Sequence, residues 1–93
     1  MENEISRNES EERFEMQVDG STAYVEYDLE PDSIVFTHTT VPEELEGRGI
    51  GKQLAKHVLE YAKGQNLKVV PQCAFIASYI ERNPEYQGLL RNQ

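Results

Sequence analysis

Residues 34–64 read "IVFTHTTVPEELEGRGIGKQLAKHVLEYAKG", and the change of rhythm inside this stretch decides the fold. Its first eight residues are mostly β-branched or aromatic, the composition of a strand. Pro42 ends that run and an acidic loop follows. From Ile50 the spacing turns helical: Ile50, Leu54, Val58 and Tyr61 with Ala62 recur on one face, and Lys52, Lys56, Glu60 and Lys63 on the other. Gly64 stands where a helix C-cap is expected. Between strand and helix lie glycines at 47, 49 and 51. Glycine costs stability there, so something is expected to approach the main chain closely.

Working outward, Phe14, Met16 and Val18 alternate with Arg13, Glu15 and Gln17, the period of a half-buried strand. Asp19-Gly20 signals a tight hairpin. Ala23, Val25, Tyr27 and Leu29 then alternate with Tyr24, Glu26 and Asp28, and a turn at residues 31–33 leads into the run at 34–41. Residues 1–10 read as a flexible acidic tail, and 11–93 as a single domain. On the other side of the helix, residues 66–73 read as a short fourth strand and 74–82 as a second helix. Asn83 is expected to cap a last short helix with Pro84 at its first position. The order is βββαβα, an α+β fold: an antiparallel meander followed by a parallel β-loop-α-β unit, in a two-layer or three-layer sandwich. Ligands of such units sit at the carboxyl ends of the strands, beside the helix N-terminus.

Bulk properties narrow the classes. The 93 residues make one modest core. A lone cysteine, Cys73, excludes an internal disulfide. There is no signal-like or membrane-length apolar run, so a cytoplasmic protein is expected. The net charge of −8 argues against nucleic acid as a partner. That charge is uneven: residues 1–46 carry fourteen acids and two bases, residues 47–93 three acids and seven bases. A small anionic ligand suits the second half. The plainer reading is that the acids solvate one face.

A helix N-terminus offers unpaired N–H groups and a partial positive charge, and glycines let a diphosphate lie against them. Arg48 and Lys52 are placed to add charge. Gly49→Val is expected to spare the fold and block the diphosphate. Known phosphate loops fit poorly. Gly51-Lys52 is followed by Gln53 where the Walker pattern needs a hydroxyl, and the dinucleotide pattern fails at Leu54 and at Lys52.

The stretch does resemble the coenzyme A pyrophosphate loop of the GNAT acetyltransferase superfamily, Gln/Arg-x-x-Gly-x-Gly/Ala between a strand and a helix. Gly49 and Gly51 match its small positions, and Lys52 with Leu54 matches its helix start. Glu46 departs from it, standing where Gln or Arg is usual. The tail, with Cys73, Phe75, Tyr79, Ile80, Pro84, Glu85 and Tyr86, is similar to that of small single-domain GNAT-like proteins. The resemblance covers residues 12–90 and omits the elements that form much of the acceptor site in larger members.

The resemblance implies an acetyl-CoA-dependent N-acetyltransferase acting on an amine, either a small molecule or a protein amino group. It places the thioester carbonyl beside Thr40 and Val41, and the diphosphate along Glu46, Gly47, Arg48, Gly49, Ile50, Gly51 and Lys52. It also suggests Tyr79 as the acid that protonates the leaving thiolate. Cys73 ends the fourth strand and can either take the acetyl group in a two-step route or simply pack. The other class of function is a module that binds acetyl-CoA or CoA without turnover. His38 shares strand parity with Ile34 and Phe36, so it is expected to be packed, and His57 to be half-exposed on the helix. Neither has metal-ligand spacing with Cys73.

Overall fold

The computed structural model describes residues 4–91. In chain order these form β1 (Ile5–Asn8), β2 (Arg13–Val18), β3 (Ser21–Leu29), β4 (Ser33–Thr40), α1 (Ile50–Gly64), β5 (Lys68–Pro71) and α2 (Ala74–Arg82), with 3-10 turns at Glu43–Leu45 and Pro84–Leu89. The strands lie side by side in one sheet in the order β1-β2-β3-β4-β5. Pairing is antiparallel as far as β4 and parallel between β4 and β5. The α+β meander with its β-loop-α-β unit is therefore present.

Period-two patterning sets the register. Phe14 pairs with Val25 and Met16 with Ala23, so the apolar sets of β2 and β3 share one face. Asp19 and Gly20 both take positive φ, 51° and 81°, as a two-residue hairpin requires. Phe14 is the hinge of the packing: its ring lies 5.2 Å from that of Tyr61, 5.3 Å from Tyr27 and 5.7 Å from His57. Each such buried side chain contributes roughly 1.5–3 kcal/mol.

Two expectations about the strands are corrected. Residues 5–8 of the supposed tail form β1, paired along β2 from Ile5↔Met16 to Asn8↔Arg13; residues 1–3 of that tail lie outside the described residues. Only Ile5 in this strand packs on the core. Arg7 holds the rest, bonding the Tyr61 hydroxyl with its guanidinium over that ring and pairing with Glu9 at 3.0 Å. The second correction is a β-bulge. Glu26 pairs with His38 but Tyr27 pairs with Phe36, which leaves Thr37 as the extra residue, its hydroxyl donating to the Glu26 carbonyl at 3.3 Å. A one-residue slip exchanges the faces of everything beyond it. His38 therefore turns to solvent, its side chain 76% exposed and its Nδ1 3.7 Å from Glu26.

Both helices cover the same side of the sheet. Ile50, Leu54, Ala55, Val58, Leu59 and Ala62 of α1 and Ile76 and Ile80 of α2 join the inward residues of β2–β5 in a single cluster. The sandwich has two layers. On the outer face, Arg13 pairs with Glu15 at 2.6 Å and lies over the Tyr24 ring at 4.4 Å. The helix ends differ in detail from expectation. Asn66 (φ 57°), not Gly64, takes the left-handed conformation after α1. Asn83 takes the N-cap position ahead of Pro84 but makes no side-chain cap bond; its amide donates to the Tyr79 carbonyl, and the last segment is 3-10 rather than α.

Candidate active site

β4 and β5 pair only from Ser33↔Lys68 to Phe36↔Pro71. Proline at 71 has no N–H to extend the ladder, and at Cys73 the chain makes a last bond, N–H to the Phe36 carbonyl at 2.9 Å, before turning into α2. β4 runs on to Thr40. The two parallel strands thus part at their carboxyl ends, and the bulge falls where they part. Because of the bulge, Thr39 rather than His38 borders the space that opens.

The loop above this space is pinned at three points. Leu45 is buried, the Ser21 hydroxyl donates to Glu44 at 2.6 Å, and Arg48 pairs with Asp19 at 2.9 Å. The Ser21 bond holds the Glu44 carboxyl below the usual range. The three glycines have two different reasons. Gly47 (φ 83°) and Gly49 (φ 75°) are left-handed, and a Cβ on either would meet nothing within 4 Å. Gly51 has ordinary backbone, but a Cβ there would stand 2.8 Å from Cζ of Phe75. The expectation that Gly49→Val spares the fold is corrected accordingly, since a β-branched residue is strained at that φ whatever binds.

Gly49 is the N-cap of α1 and offers no side-chain cap; the first intrahelical bond comes from Gln53 N–H to the Gly49 carbonyl, at 3.1 Å. The N–H groups of Ile50, Gly51 and Lys52 have no partner within the helix. These three residues line a cavity of about 430 Å3. Of the residues expected to hold the cofactor, Val41, Glu46 and Gly47 line it from the loop, and Gly49, Ile50, Gly51 and Lys52 from the helix. Thr40 and Arg48 do not line it. Thr40 pairs with Tyr24 and is exposed on the outer face, and Arg48 is turned to Asp19. Phe75, a candidate either to close over the cofactor or to pack, lines it as well, and Thr39 and Leu45 line it without having been foreseen. Phe75 was legible as part of the tail motif; Thr39 carried no signal, because strand parity put His38 in its place.

Cys73 and Tyr79 stand apart. The thiol is 9% exposed, at the N-cap of α2, with Sγ 3.1 Å from the Thr39 hydroxyl, so it supports a cavity residue from behind. Tyr79 borders a second cavity, about 590 Å3, lined by α2 and by Lys52 of α1, with its ring 6.1 Å from that of Tyr86. No hydrogen bond joins Cys73 and Tyr79 among the described residues. Burial, reinforced by Glu85 and Glu60, raises the Tyr79 pKa, so its phenol keeps its proton at neutral pH. Partial burial against Phe14 lowers the pKa of His57. Among the described residues no three His, Cys, Asp or Glu side chains are grouped to hold a metal, and no helix is long and apolar enough to cross a membrane.

A family model described as GCN5-related N-acetyl-transferase matches residues 13–89, from β2 to the last 3-10 turn. The chain belongs to the GCN5-related N-acetyltransferase family. The solution structure of a GCN5-like protein from Staphylococcus aureus superposes with a TM-score of 0.75 at 32% identity, covering 97% of this chain and 89% of that one. Among curated proteins, mouse Protein NATD1 is 43% identical over 56 residues, 60% of this chain and 51% of its own length. The human protein gives the same identity over 50% of its length. The chain thus aligns with about half the length of these relatives. The zebrafish protein aligns over 94% of this chain and 82% of its own at 29% identity. The GNAT likeness read from Gly49, Gly51 and the Cys73–Tyr86 tail agrees with membership of this family.

Proposed function

We propose that this protein is an acetyl-CoA-dependent N-acetyltransferase that acts on an amine. The observation that carries the reading is the glycine-lined N-terminus of α1, whose first residues, with N–H groups unpaired within the helix, line a cavity at the point where β4 and β5 separate. The residues present suit a diphosphate: Gly47 and Gly49 put no side chain over the donors, and Lys52 adds a cation. Glu46 is the one carboxylate lining the cavity. Bound acetyl-CoA supplies the activated acetyl group. The Val41 backbone N–H stands by the cavity to polarise the thioester carbonyl, a type of contact that can be worth about 3 kcal/mol in the transition state. The amine nitrogen would take the acetyl group as the carbon–sulfur bond breaks and would release its surplus proton to solvent, and Tyr79, which keeps its proton at neutral pH, would protonate the departing thiolate. Cys73, nearly buried behind Thr39, suits direct transfer better than an acetyl-thiol intermediate.

Residue-resolved amide NMR during titration with acetyl-CoA tests this. Shifts concentrated at Val41 and Gly47–Lys52 are expected, together with acetylated product when a panel of amines is added. No shifts at millimolar ligand overturn the reading. Binding without product from any amine would reduce the protein to a CoA-binding module.

A further inference from the structure

Two tyrosine rings lie together where α2 passes into the last 3-10 turn, and they use their hydroxyls differently. The Tyr86 ring stands 6.1 Å from that of Tyr79, tilted by 32°, within the range of favourable aromatic pairs. Tyr86 is 2% exposed, and its hydroxyl donates to Glu60 of α1 at 2.6 Å. Its backbone is tied to α2 as well. The Tyr86 N–H donates to the Asn83 carbonyl at 3.0 Å, and the Asn83 amide to the Tyr79 carbonyl at 2.8 Å. The Tyr86 ring is thus held from both helices. The Tyr79 hydroxyl, by contrast, makes no hydrogen bond among the described residues. Tyr79 borders the cavity between α1 and α2, which shares Lys52 and Phe75 with the cavity at the start of α1, so the two adjoin.

We propose that Tyr86 and Glu60 are positioning residues for Tyr79: Glu60 fixes the Tyr86 ring, and that ring sets where the Tyr79 phenol stands as the acid of the transfer. The proposal rests on the reading of Tyr79 as proton donor given above. Glu60 contributes charge as well as a tether. Burial, and then Glu85 and Glu60, raise the Tyr79 pKa, because a nearby carboxylate disfavours the phenolate. Lys52 of α1 and Arg82 of α2 border the same cavity, and Lys56 lies between Lys52 and Glu60 along α1. A substitution at Glu60 leaves these groups and Glu85 in place.

NMR of 13Cζ-labelled tyrosine reads the ionisation of Tyr79 directly, its signal assigned by its loss in Tyr79→Phe. Glu60→Gln keeps an oxygen that accepts the Tyr86 hydrogen bond and removes the charge. It is expected to move Tyr79 ionisation to lower pH. The alkaline limb of kcat for acetyl transfer, measured with an amine of the panel that yields product, should move with it. Tyr86→Phe keeps the ring but releases it from α1. It is expected to lower kcat at neutral pH by about tenfold, the effect of a misplaced group, with KM for acetyl-CoA unchanged. Tyr79→Phe should lose about a hundredfold or more. Tyr79 ionising in E60Q as in the wild type, or wild-type kcat in Y86F, overturns the positioning role and leaves the acetyl-CoA reading standing. Binding of acetyl-CoA with no product from any amine overturns the positioning role together with the acid role of Tyr79.

Discussion

The meander β1–β3 and the unit β4-α1-β5-α2 occupy one sheet yet treat their polar groups in opposite ways. In the meander, strands pair along their whole length, and outward charges are matched, as Arg13 is by Glu15 and Arg7 by Glu9. In the second unit the parallel ladder stops at Phe36↔Pro71 and the first donors of α1 are left open. Buried or half-buried polar groups are normally paired. The meander is thus a scaffold, and the second unit keeps open backbone donors at the start of α1, beside the cleft.

The contrast can be broken first at its joint. Phe14 belongs to the meander but supports α1 through Tyr61 and His57. Phe14→Ala is expected to cost about 3–5 kcal/mol, a large part of the stability of so small a domain, and to lower the urea midpoint correspondingly. A loss under 1 kcal/mol would mean that the halves are held together elsewhere.

Next comes Gly51, where the cleft is built by packing. Gly51→Ala drives a methyl against Phe75 and is expected to destabilise by about 1–3 kcal/mol. Phe75→Ala in the same chain should remove most of that penalty in a double-mutant cycle. Additive effects would show that Gly51 is needed for some other reason.

A smaller effect is expected from the Tyr86 hydroxyl, buried beneath α1 and donating to Glu60 at 2.6 Å. Burial, and then Glu60, raise its pKa. A phenol with a raised folded pKa stabilises the fold below the unfolded value, about 10, and that contribution is lost as pH rises beyond it. The melting temperature should fall between pH 9 and pH 11, less steeply in Tyr86→Phe; parallel profiles would refute the assignment. The smallest effect belongs to Arg48→Gln. Its pair with Asp19 is half-exposed, worth about 0.2–1 kcal/mol, and acetyl-CoA affinity should change by less than twofold. A tenfold loss would put Arg48 back at the ligand.

Much of this was legible in local pattern. Phe14, Met16 and Val18, the turn at Asp19-Gly20, and the helical spacing from Ile50 describe their own elements, because a period of two or of 3.6 is a property of neighbouring residues. The glycine loop was readable for the same reason, as three small residues between a strand and a helix. β1 was not, since Ile5 is its one core residue and Arg7 finds Tyr61 only across the fold. Nor was the role of each glycine: Gly47 and Gly49 answer to backbone handedness, Gly51 to a ring contributed by α2.

The sequence by itself determined the order of elements from β2 onward, the apolar faces of β2, β3 and α1, and the glycine loop at 46–52 between a strand and a helix. Only the tertiary structure decided which side chains meet the cleft. One bulge residue at Thr37 turned His38 outward and Thr39 inward, the Asp19 carboxylate drew Arg48 away, and Lys52 and Arg82 came together across two helices. Register and through-space pairing depend on partners distant in the chain, and those partners leave no trace in local spacing.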